Sequence, residues 1–235
     1  MSNLLKALKL IIDNPIIQVK NYYTGRNRAN SVGEALENYV KDIFANSFDL
    51  SEIERIEKLN KIFSYLGNQN NPPDIILRNG DAIETKKVQS GNSDLALNSS
   101  FPKAQLFADD LLLKDEARNG EKWNVKDIIY IIGHTSDTDI KHLWFVYGDC
   151  FAAKKEVYER IKTTIADGIK SIPDVEFAKT NELGRVNRVD PLGITNLRIR
   201  GMWTLQNPSK VFSYLDCIDV NSRFQVNCIL KNREV

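Results

Sequence analysis

The sequence predicts a mixed α/β fold, with a central sheet flanked by helices, from three observations. Two continuous apolar runs, 127–132 (DIIYII) and 142–147 (HLWFVY), have the composition of strands covered on both faces. Apolar residues recur at helical spacing in several segments before and after these runs. Short apolar runs interrupted by Asn-Gly indicate a β-hairpin. Together these segments give a chain of alternating helices and strands.

Periodicity and turn residues set the expected elements. The second helix has a clear start, because Ser31 can cap it and Glu34, three residues on, can complete a capping box. Leu36 and Val40 lie on its apolar face, with Glu37 near the edge. The predicted helices span 2–13, 31–46, 51–65, 102–118, 153–170 and 207–216, and the predicted strands 74–78, 82–88, 127–133, 142–148 and 196–203.

Composition indicates a globular chain with a sizeable core, since 42% of its 235 residues are hydrophobic. No Pro/Ser/Gly-rich linker divides it, so we expect one domain over residues 1–235, with N-terminal helices and a C-terminal tail. The N-terminal segment mixes apolar and charged residues as a helix does, unlike a signal peptide. Three widely spaced cysteines argue against a disulfide framework or structural zinc and fit a reducing cytoplasm.

Charge is balanced overall but not locally. The chain has 32 basic and 31 acidic side chains, which argues against indiscriminate binding of polyanions while leaving room for a basic groove. Arg26 and Arg28 precede the second helix, and a second group of arginines lies late in the chain. That second group is Arg185, Arg188, Arg198 and Arg200.

The segment Pro73 to Lys87, PDIILRNGDAIETKK, has the residue types of a metal-dependent nuclease site. Carboxylates such as Asp74 and Glu84 can hold Mg²⁺, which activates water and neutralises charge on a phosphate. A nearby lysine, here Lys86, can orient that water and stabilise the transition state. An Asp followed by Glu-x-Lys also arises by chance in a chain with 27% charged residues, so a solvated hairpin face is the structural alternative.

Two turns are compatible with Asn79-Gly80, and they place the carboxylates differently. A two-residue type I′ turn would put Asp74 and Glu84 on opposite faces. A three-residue loop, with Gly80 left-handed in a bulge, would put them directly opposite each other at roughly 5 Å between Cβ atoms, with Lys86 on the same face. We favour the second register because only it makes a metal site.

The order of Glu34-x-x-Glu37, Pro73-Asp74 and Glu84-x-Lys86 resembles the PD-(D/E)xK nuclease superfamily. Longer blocks are more specific and resemble the NgoPII-type restriction endonucleases. These blocks, which run from about residue 20 to 215, are RNRANSVGEALENYVKDIFAN, FSYLGNQNNPPD, DLALNSSFPKAQLFAD, YGDCFAA and RVDPLGITNLRIRGMW. Residues 218–235 match nothing in that pattern.

The resemblance implies a restriction-endonuclease-like core and a type II enzyme that cuts double-stranded DNA at a short palindrome, GGCC in that family, with Mg²⁺. Carried over by position, it makes Asp74, Glu84 and the Thr85 carbonyl metal ligands. Lys86 becomes the water-orienting base or charge stabiliser, and Glu37 an acidic accessory. A cognate DNA methyltransferase acting on the same site is the expected functional partner.

Sequence readout needs further residues. Arginine binds the O6 and N7 atoms of guanine well, and Arg198 and Arg200, about 7 Å apart on one face of a strand, suit adjacent base pairs. A palindrome implies two-fold symmetry and hence a homodimer. The rival interpretations are a structure-selective repair nuclease or junction resolvase, and a non-catalytic DNA-binding protein. Polar residues that flank the hairpin are further candidates for DNA contact: Gln69, Asn70, Asn98, Ser99, Ser100 and Lys103.

Overall fold

The computed structural model describes residues 2–68, 71–98, 100–110, 112–219 and 221–230. Within these ranges the helices are α1 Leu4–Asp13, α2 Val19–Thr24, α3 Val32–Ala45, α4 Glu52–Ile62, α5 Asp115–Asn119, α6 Lys155–Ile169 and α7 Pro208–Val211. The strands are β1 Phe63–Asn68, β2 Asn71–Leu77, β3 Ala82–Val88, β4 Leu95–Asn98, β5 Gln105–Phe107, β6 Val125–Thr135, β7 Ile140–Tyr147, β8 Glu176–Phe177, β9 Gly184–Asn187, β10 Leu197–Ile199, β11 Met202–Leu205 and β12 Gln225–Ile229. Two short 3₁₀ helices occupy Gly148–Cys150 and Ser213–Leu215.

A mixed sheet lies at the centre, in the strand order β1-β2-β3-β6-β7-β12, with β5 paired to the start of β6. The pairs β3–β6 and β7–β12 are parallel, and the other neighbours are antiparallel. The two continuous apolar runs become the adjacent strands β6 and β7, which confirms that they are central. The predicted fold, a mixed sheet flanked by helices, is confirmed.

Each face of the sheet has its own apolar cluster. On one face, helix α3 packs Leu36 and Ile43 against Ile129 and Ile131. Alternate residues of the same strand, Ile128, Tyr130 and Ile132, enter a second cluster on the other face. The middle of β6, residues 128–132, is buried on both sides, and this explains its uninterrupted apolar sequence.

Helix α3 approaches β6 closely at Gly133. A Cβ atom built on Gly133 would lie 2.6 Å from a methyl carbon of Leu36, so a larger residue there would require the Leu36 side chain to shift. The start of the helix is capped as expected, since the Ser31 hydroxyl accepts the Glu34 N–H at 3.2 Å. The carboxylate of Glu34 accepts the N–H of Asn30 and not that of Ser31, so the reciprocal half of the box shifts by one residue.

Several predicted elements are wrong in extent. The helix expected over 102–118 is a strand at 105–107, a loop and the short helix α5. The strand pairs with β6, and the Arg118 guanidinium stabilises the loop by donating to the carbonyls of Ala108, Asp110 and Leu113. The strand expected over 196–203 divides into β10 and β11, which belong to different sheets. The helix expected over 51–65 ends at Ile62, and that over 207–216 is one short turn followed by a 3₁₀ helix.

Two smaller sheets complete the described fold. Strands β8, β9 and β10 form an antiparallel sheet in the order β10-β9-β8, and β4 pairs with β11. The tail that the sequence left unplaced adds β12 in parallel to β7, in the register Val226 to Leu143. No helix in the described ranges has the length and apolar content that crossing a bilayer requires.

Candidate active site

The hairpin predicted from Pro73 to Lys87 forms between β2 and β3, in the register that brings the two carboxylates together. Ile75 pairs with Ile83, and the next position along this ladder sets Asp74 opposite Glu84. Lys86, two residues beyond Glu84, lies on the same face because side chains alternate. The Leu77 N–H donates to the Asp81 carbonyl at 2.9 Å, one position before β3 begins, so residues 78–80 form the three-residue loop of the second turn considered.

The turn differs from its prediction in one residue. Asn79 has a φ of +55°, whereas Gly80 is not among the residues of positive φ. The Gly80 N–H donates to the Leu77 carbonyl at 3.0 Å, which makes Asn79 the third residue of a four-residue turn. That position requires a positive φ in type II turns, and Asn tolerates it. The prediction of a left-handed Gly80 is therefore wrong, although the predicted pairing of Leu77 with Asp81 is confirmed.

Two buried side chains from outside the hairpin fix this turn. The Glu121 carboxylate accepts the Asn79 N–H at 2.7 Å, and the Lys126 ammonium donates to the Gly80 carbonyl at 2.7 Å. Glu121 and Lys126 form an ion pair of 2.6 Å and are 9% and 6% exposed. Because Lys126 belongs to β6, the turn is tied to the centre of the sheet.

Asp74 is half-buried and has a fixed orientation. One of its carboxylate oxygens, Oδ2, accepts the backbone N–H of Thr85 at 2.6 Å. Burial raises the pKa of Asp74 against the opposing effect of the Lys86 charge. The carboxylate is thus held at the edge of the site by the same backbone whose Thr85 carbonyl was predicted to bind metal.

Glu84 is the most enclosed charge of the site. Its Oε1 contacts the Lys86 ammonium at 2.5 Å, while its Oε2 is buried without a hydrogen-bond partner among the described residues. Burial, and then the negative charge of Asp74, raise the pKa of Glu84 to about 7. Burial lowers the pKa of Lys86, but the Glu84 and Asp74 carboxylates outweigh it, so the net shift is upward and the ammonium stays protonated at neutral pH.

Helix α3 adds a third acid, Glu37. The side chain is half-buried, and burial followed by the charge of Asp74 raises its pKa. Within the described residues Glu37 has no hydrogen bond or ion pair, so it is close to the site at electrostatic range only. Lys41 lies one helical turn further on, and its positive charge opposes this rise in the pKa of Glu37 and the similar rise in that of Asp74. Sequence reasoning missed Lys41, although its i+4 spacing from Glu37 was a signal for it.

The donor set suits a hard divalent cation. Carboxylate and backbone carbonyl oxygens are the ligands that Mg²⁺ prefers, and the partnerless Oε2 of Glu84 is an oxygen that a cation would satisfy. In the described part of the chain, no three His, Cys, Asp or Glu side chains lie close enough to hold a metal by themselves. An ion bound by Asp74, Glu84 and the Thr85 carbonyl would therefore complete its shell with water or phosphate oxygens, as Mg²⁺ commonly does.

The late arginines lie together on the small sheet. Arg198 on β10 pairs across the strands with Arg185 on β9, so both side chains project from one face, and Arg200 follows on that face. Arg188 comes just after β9 in a left-handed conformation, with a φ of +51°. The expectation that Arg198 and Arg200 share a side is consistent with their common partner, Glu182.

Glu182 is a residue that sequence reasoning missed. It accepts two hydrogen bonds from Arg198, at 3.0 and 2.7 Å, and one from Arg200 at 2.6 Å. These hydrogen bonds lower the pKa of Glu182 to about 2. Glu182 precedes Arg198 by 16 residues, with the β9 hairpin between them, so no local spacing reveals the contact.

Two of the predicted DNA contacts are engaged inside the fold. The Arg28 side chain is 7% exposed, and it donates to the Glu52 carboxylate at 2.9 Å and to the Leu50 carbonyl at 2.9 Å. Lys103 is equally buried and forms an ion pair with Asp110. Because internal carboxylates already neutralise both cations, the structure argues against the DNA contacts predicted for Arg28 and Lys103.

The remaining candidates are dispersed. Arg26 is exposed and stacks on the ring of Tyr22, 3.7 Å from its centroid. The backbone of Asn98 ends β4, where it pairs with Met202 of β11, and Ser100 follows in a bend. Gln69, Asn70 and Ser99 lie outside the described residues.

Two comparisons with known proteins identify the family of this chain. A sequence model described as NgoPII restriction endonuclease matches residues 2–235. The type II restriction enzyme NgoPII of Neisseria gonorrhoeae is 49% identical over 229 residues, which are 97% of this chain and 82% of that relative. No solved structure matches the chain. The chain therefore belongs to the NgoPII restriction endonuclease family, whose activity is site-specific cleavage of DNA.

Proposed function

We propose that this chain hydrolyses phosphodiester bonds of double-stranded DNA with Mg²⁺ held by Asp74, Glu84 and the Thr85 carbonyl. The observation that carries the proposal is the buried, partnerless Oε2 of Glu84, placed opposite Asp74 and beside a protonated lysine. Bound Mg²⁺ supplies positive charge for the phosphate and makes water more acidic. On a solvated hairpin face the Glu84 carboxylate would be exposed to water and not buried.

The chain's own residues divide the remaining work. Lys86 is held beside Glu84, where its ammonium group orients the attacking water and neutralises charge that develops on the phosphate. Its raised pKa favours this role over that of a base. Glu37 adds negative charge from α3 and serves as an acidic accessory to the ion.

The specificity proposed is a short palindrome, GGCC. Two adjacent guanines per half-site match two guanidinium groups held side by side, and Arg198 and Arg200 share one carboxylate. We further propose one domain whose C-terminal part, from β8 to β11, recognises the base pairs. A homodimer would place one active site on each strand. The setting would be the bacterial cytoplasm, with a methyltransferase that protects the same site.

Incubation of the purified protein with plasmid DNA, with and without Mg²⁺, tests the proposal. Sequencing of the fragment ends should show discrete, Mg²⁺-dependent termini within GGCC. Discrete ends at another sequence would discard the specificity alone. Absence of cleavage with every divalent ion tried would reject the nuclease proposal and favour a non-catalytic DNA-binding protein.

Substitution at Asp74 separates a metal ligand from a structural residue. Asp74→Asn should abolish cutting yet keep DNA binding in Ca²⁺, which supports specific binding without turnover. Asp81→Asn is the matched control, because Asp81 lies at the other end of the same hairpin and contacts the Tyr147 hydroxyl at 3.1 Å. Loss of cutting in both variants, with loss of fold, would mean that the carboxylates are structural.

A further inference from the structure

The loop between β9 and β10 presents two apolar side chains to solvent. Leu192 is 81% exposed, more than any other large apolar residue in the described ranges, and Ile194 is 75% exposed. They lie at the tip of the hairpin that carries the late arginines, in the segment VDPLGIT (residues 189–195). Two such side chains, one residue apart at the tip of a hairpin that projects charged groups, form a surface suited to contact with a partner.

The tip is built to a fixed shape without apolar support. The Asp190 carboxylate accepts the backbone N–H groups of Thr195 at 2.6 Å, Leu192 at 3.0 Å and Ile194 at 3.5 Å. Gly193, with a φ of +67°, donates to the Asp190 carbonyl at 2.9 Å. A preorganised loop loses less entropy on binding, and this suits a contact made by a few side chains.

The charge around the tip identifies the class of partner. Residues 179–203 carry five basic and two acidic side chains, whereas the whole chain is almost neutral. Arg185 and Arg198 lie across from each other on the ribbon that ends in this tip. A second copy of the chain would bring the same positive surface, so a symmetric contact there would oppose like charges. A polyanion fits, and a two-stranded ribbon has the width of a DNA groove.

We propose that Leu192 and Ile194 insert against the base stack of the bound duplex and bend it. This inference rests on the proposed function, because it takes double-stranded DNA as the ligand. Leu, Ile and Pro are among the residues that act as wedges between base steps. The wedge places the arginine face of the ribbon in register with the recognition site, and bending admits more of the protein surface.

The test uses a short duplex containing the sequence at which the wild-type protein cuts, with 2-aminopurine in the flanking base steps. In Ca²⁺, wild-type protein should raise the 2-aminopurine fluorescence and bend the duplex in circular-permutation gel shifts. The double variant Leu192→Ala/Ile194→Ala should lose both signals and bind about tenfold more weakly. Ile12→Ala/Ile53→Ala, which removes equally exposed side chains from α1 and α4, should behave as wild type.

Each outcome decides the matter. Unchanged fluorescence, bend and affinity in the double variant would overturn the wedge, while wild-type cleavage would leave the proposed function standing. A wild-type dimer that becomes a monomer in the double variant, measured by analytical ultracentrifugation, would also overturn the wedge, because the tip would then bind a second copy of the chain. If the double variant fails to fold, Leu192→Gln replaces it, because a polar side chain at 81% exposure leaves the core unchanged. A wild-type protein that neither binds nor cuts DNA would reject both proposals.

Discussion

The hairpins β2–β3 and β9–β10 hold the charges of the proposed active and recognition sites in opposite ways. On β2–β3 the carboxylate of Glu84 is buried and has one oxygen without a partner, so its pKa rises to about 7. On β9–β10 the guanidinium groups of Arg198 and Arg200 are more than half exposed and share a carboxylate. The pKa of that carboxylate, Glu182, falls to about 2 because of these hydrogen bonds.

The difference teaches which part of the site must be fixed before the ligand arrives. The proposed hydrolysis needs oxygen atoms at set positions around an ion, and the sheet holds the Glu84 carboxylate in a burial that a bound ion would make less unfavourable. The proposed recognition needs guanidinium groups that are oriented yet open to solvent, so an exposed ribbon with a shared acidic partner suffices. The following substitutions test each side of this contrast.

Removal of the Lys86 charge should have the largest effect. Lys86→Ala should lower the single-turnover cleavage rate by about 10²- to 10³-fold, because no other described cation contacts Glu84. Affinity for DNA in Ca²⁺ should change little. Lys87→Ala is the control, since Lys87 is exposed on the opposite face of β3. A Lys86→Ala enzyme that cuts at the wild-type rate would remove the lysine from the chemistry.

Loss of the buried support at the catalytic turn should come next. Glu121→Ala leaves Lys126 buried without its partner and frees the Asn79 N–H, so the free energy of unfolding should fall by about 3 kcal/mol. Urea denaturation measures the change. An exposed pair, Lys170 and Asp167, provides the comparison, and Asp167→Ala should cost well under 1 kcal/mol. Equal losses would show that the turn needs no buried support.

Lys86 and Glu121 also differ in how far the sequence could predict their positions. The face shared by Asp74, Glu84 and Lys86 follows from side-chain alternation once the turn length is chosen, and strand length and apolar content identify β6 and β7. Glu121 and Lys126 lie more than 40 positions from the turn they hold, and charge pattern carries no such information. The helix expected over 102–118 is wrong for a different reason, because Arg118 donates to carbonyls only 5 to 10 residues earlier and thereby stabilises a loop that propensity does not predict.

On the recognition side, Glu182→Gln should weaken discrimination. Without the shared carboxylate, Arg198 and Arg200 lose their fixed orientation, while the surface becomes more positive. Competition binding in Ca²⁺ should show about tenfold less preference for the cognate duplex, together with tighter binding of random DNA. Glu176→Gln, on the neighbouring strand β8, should leave the preference unchanged. Retained discrimination in Glu182→Gln would move base readout away from this arginine pair.

The smallest expected effect concerns stability on the catalytic side. A Glu whose folded pKa is raised binds more protons in the native than in the unfolded state between pH 4.5 and about 7, so its contribution to stability falls as pH rises through that window. Glu84→Gln removes this penalty and should raise Tm by about 3 °C at pH 8 and hardly at all at pH 4.

Thermal denaturation at both values, without divalent ions, measures the effect. Added Mg²⁺ should then raise the Tm of the wild-type protein and not that of Glu84→Gln. A bound ion offsets the cost of burying the Glu84 charge, and the neutral amide has no such cost. A variant that is less stable than wild type at pH 8 would show that the buried carboxylate is already well accommodated. The two hairpins would then differ only in how exposed their charged groups are, and the buried charge of Glu84 would not be unfavourable.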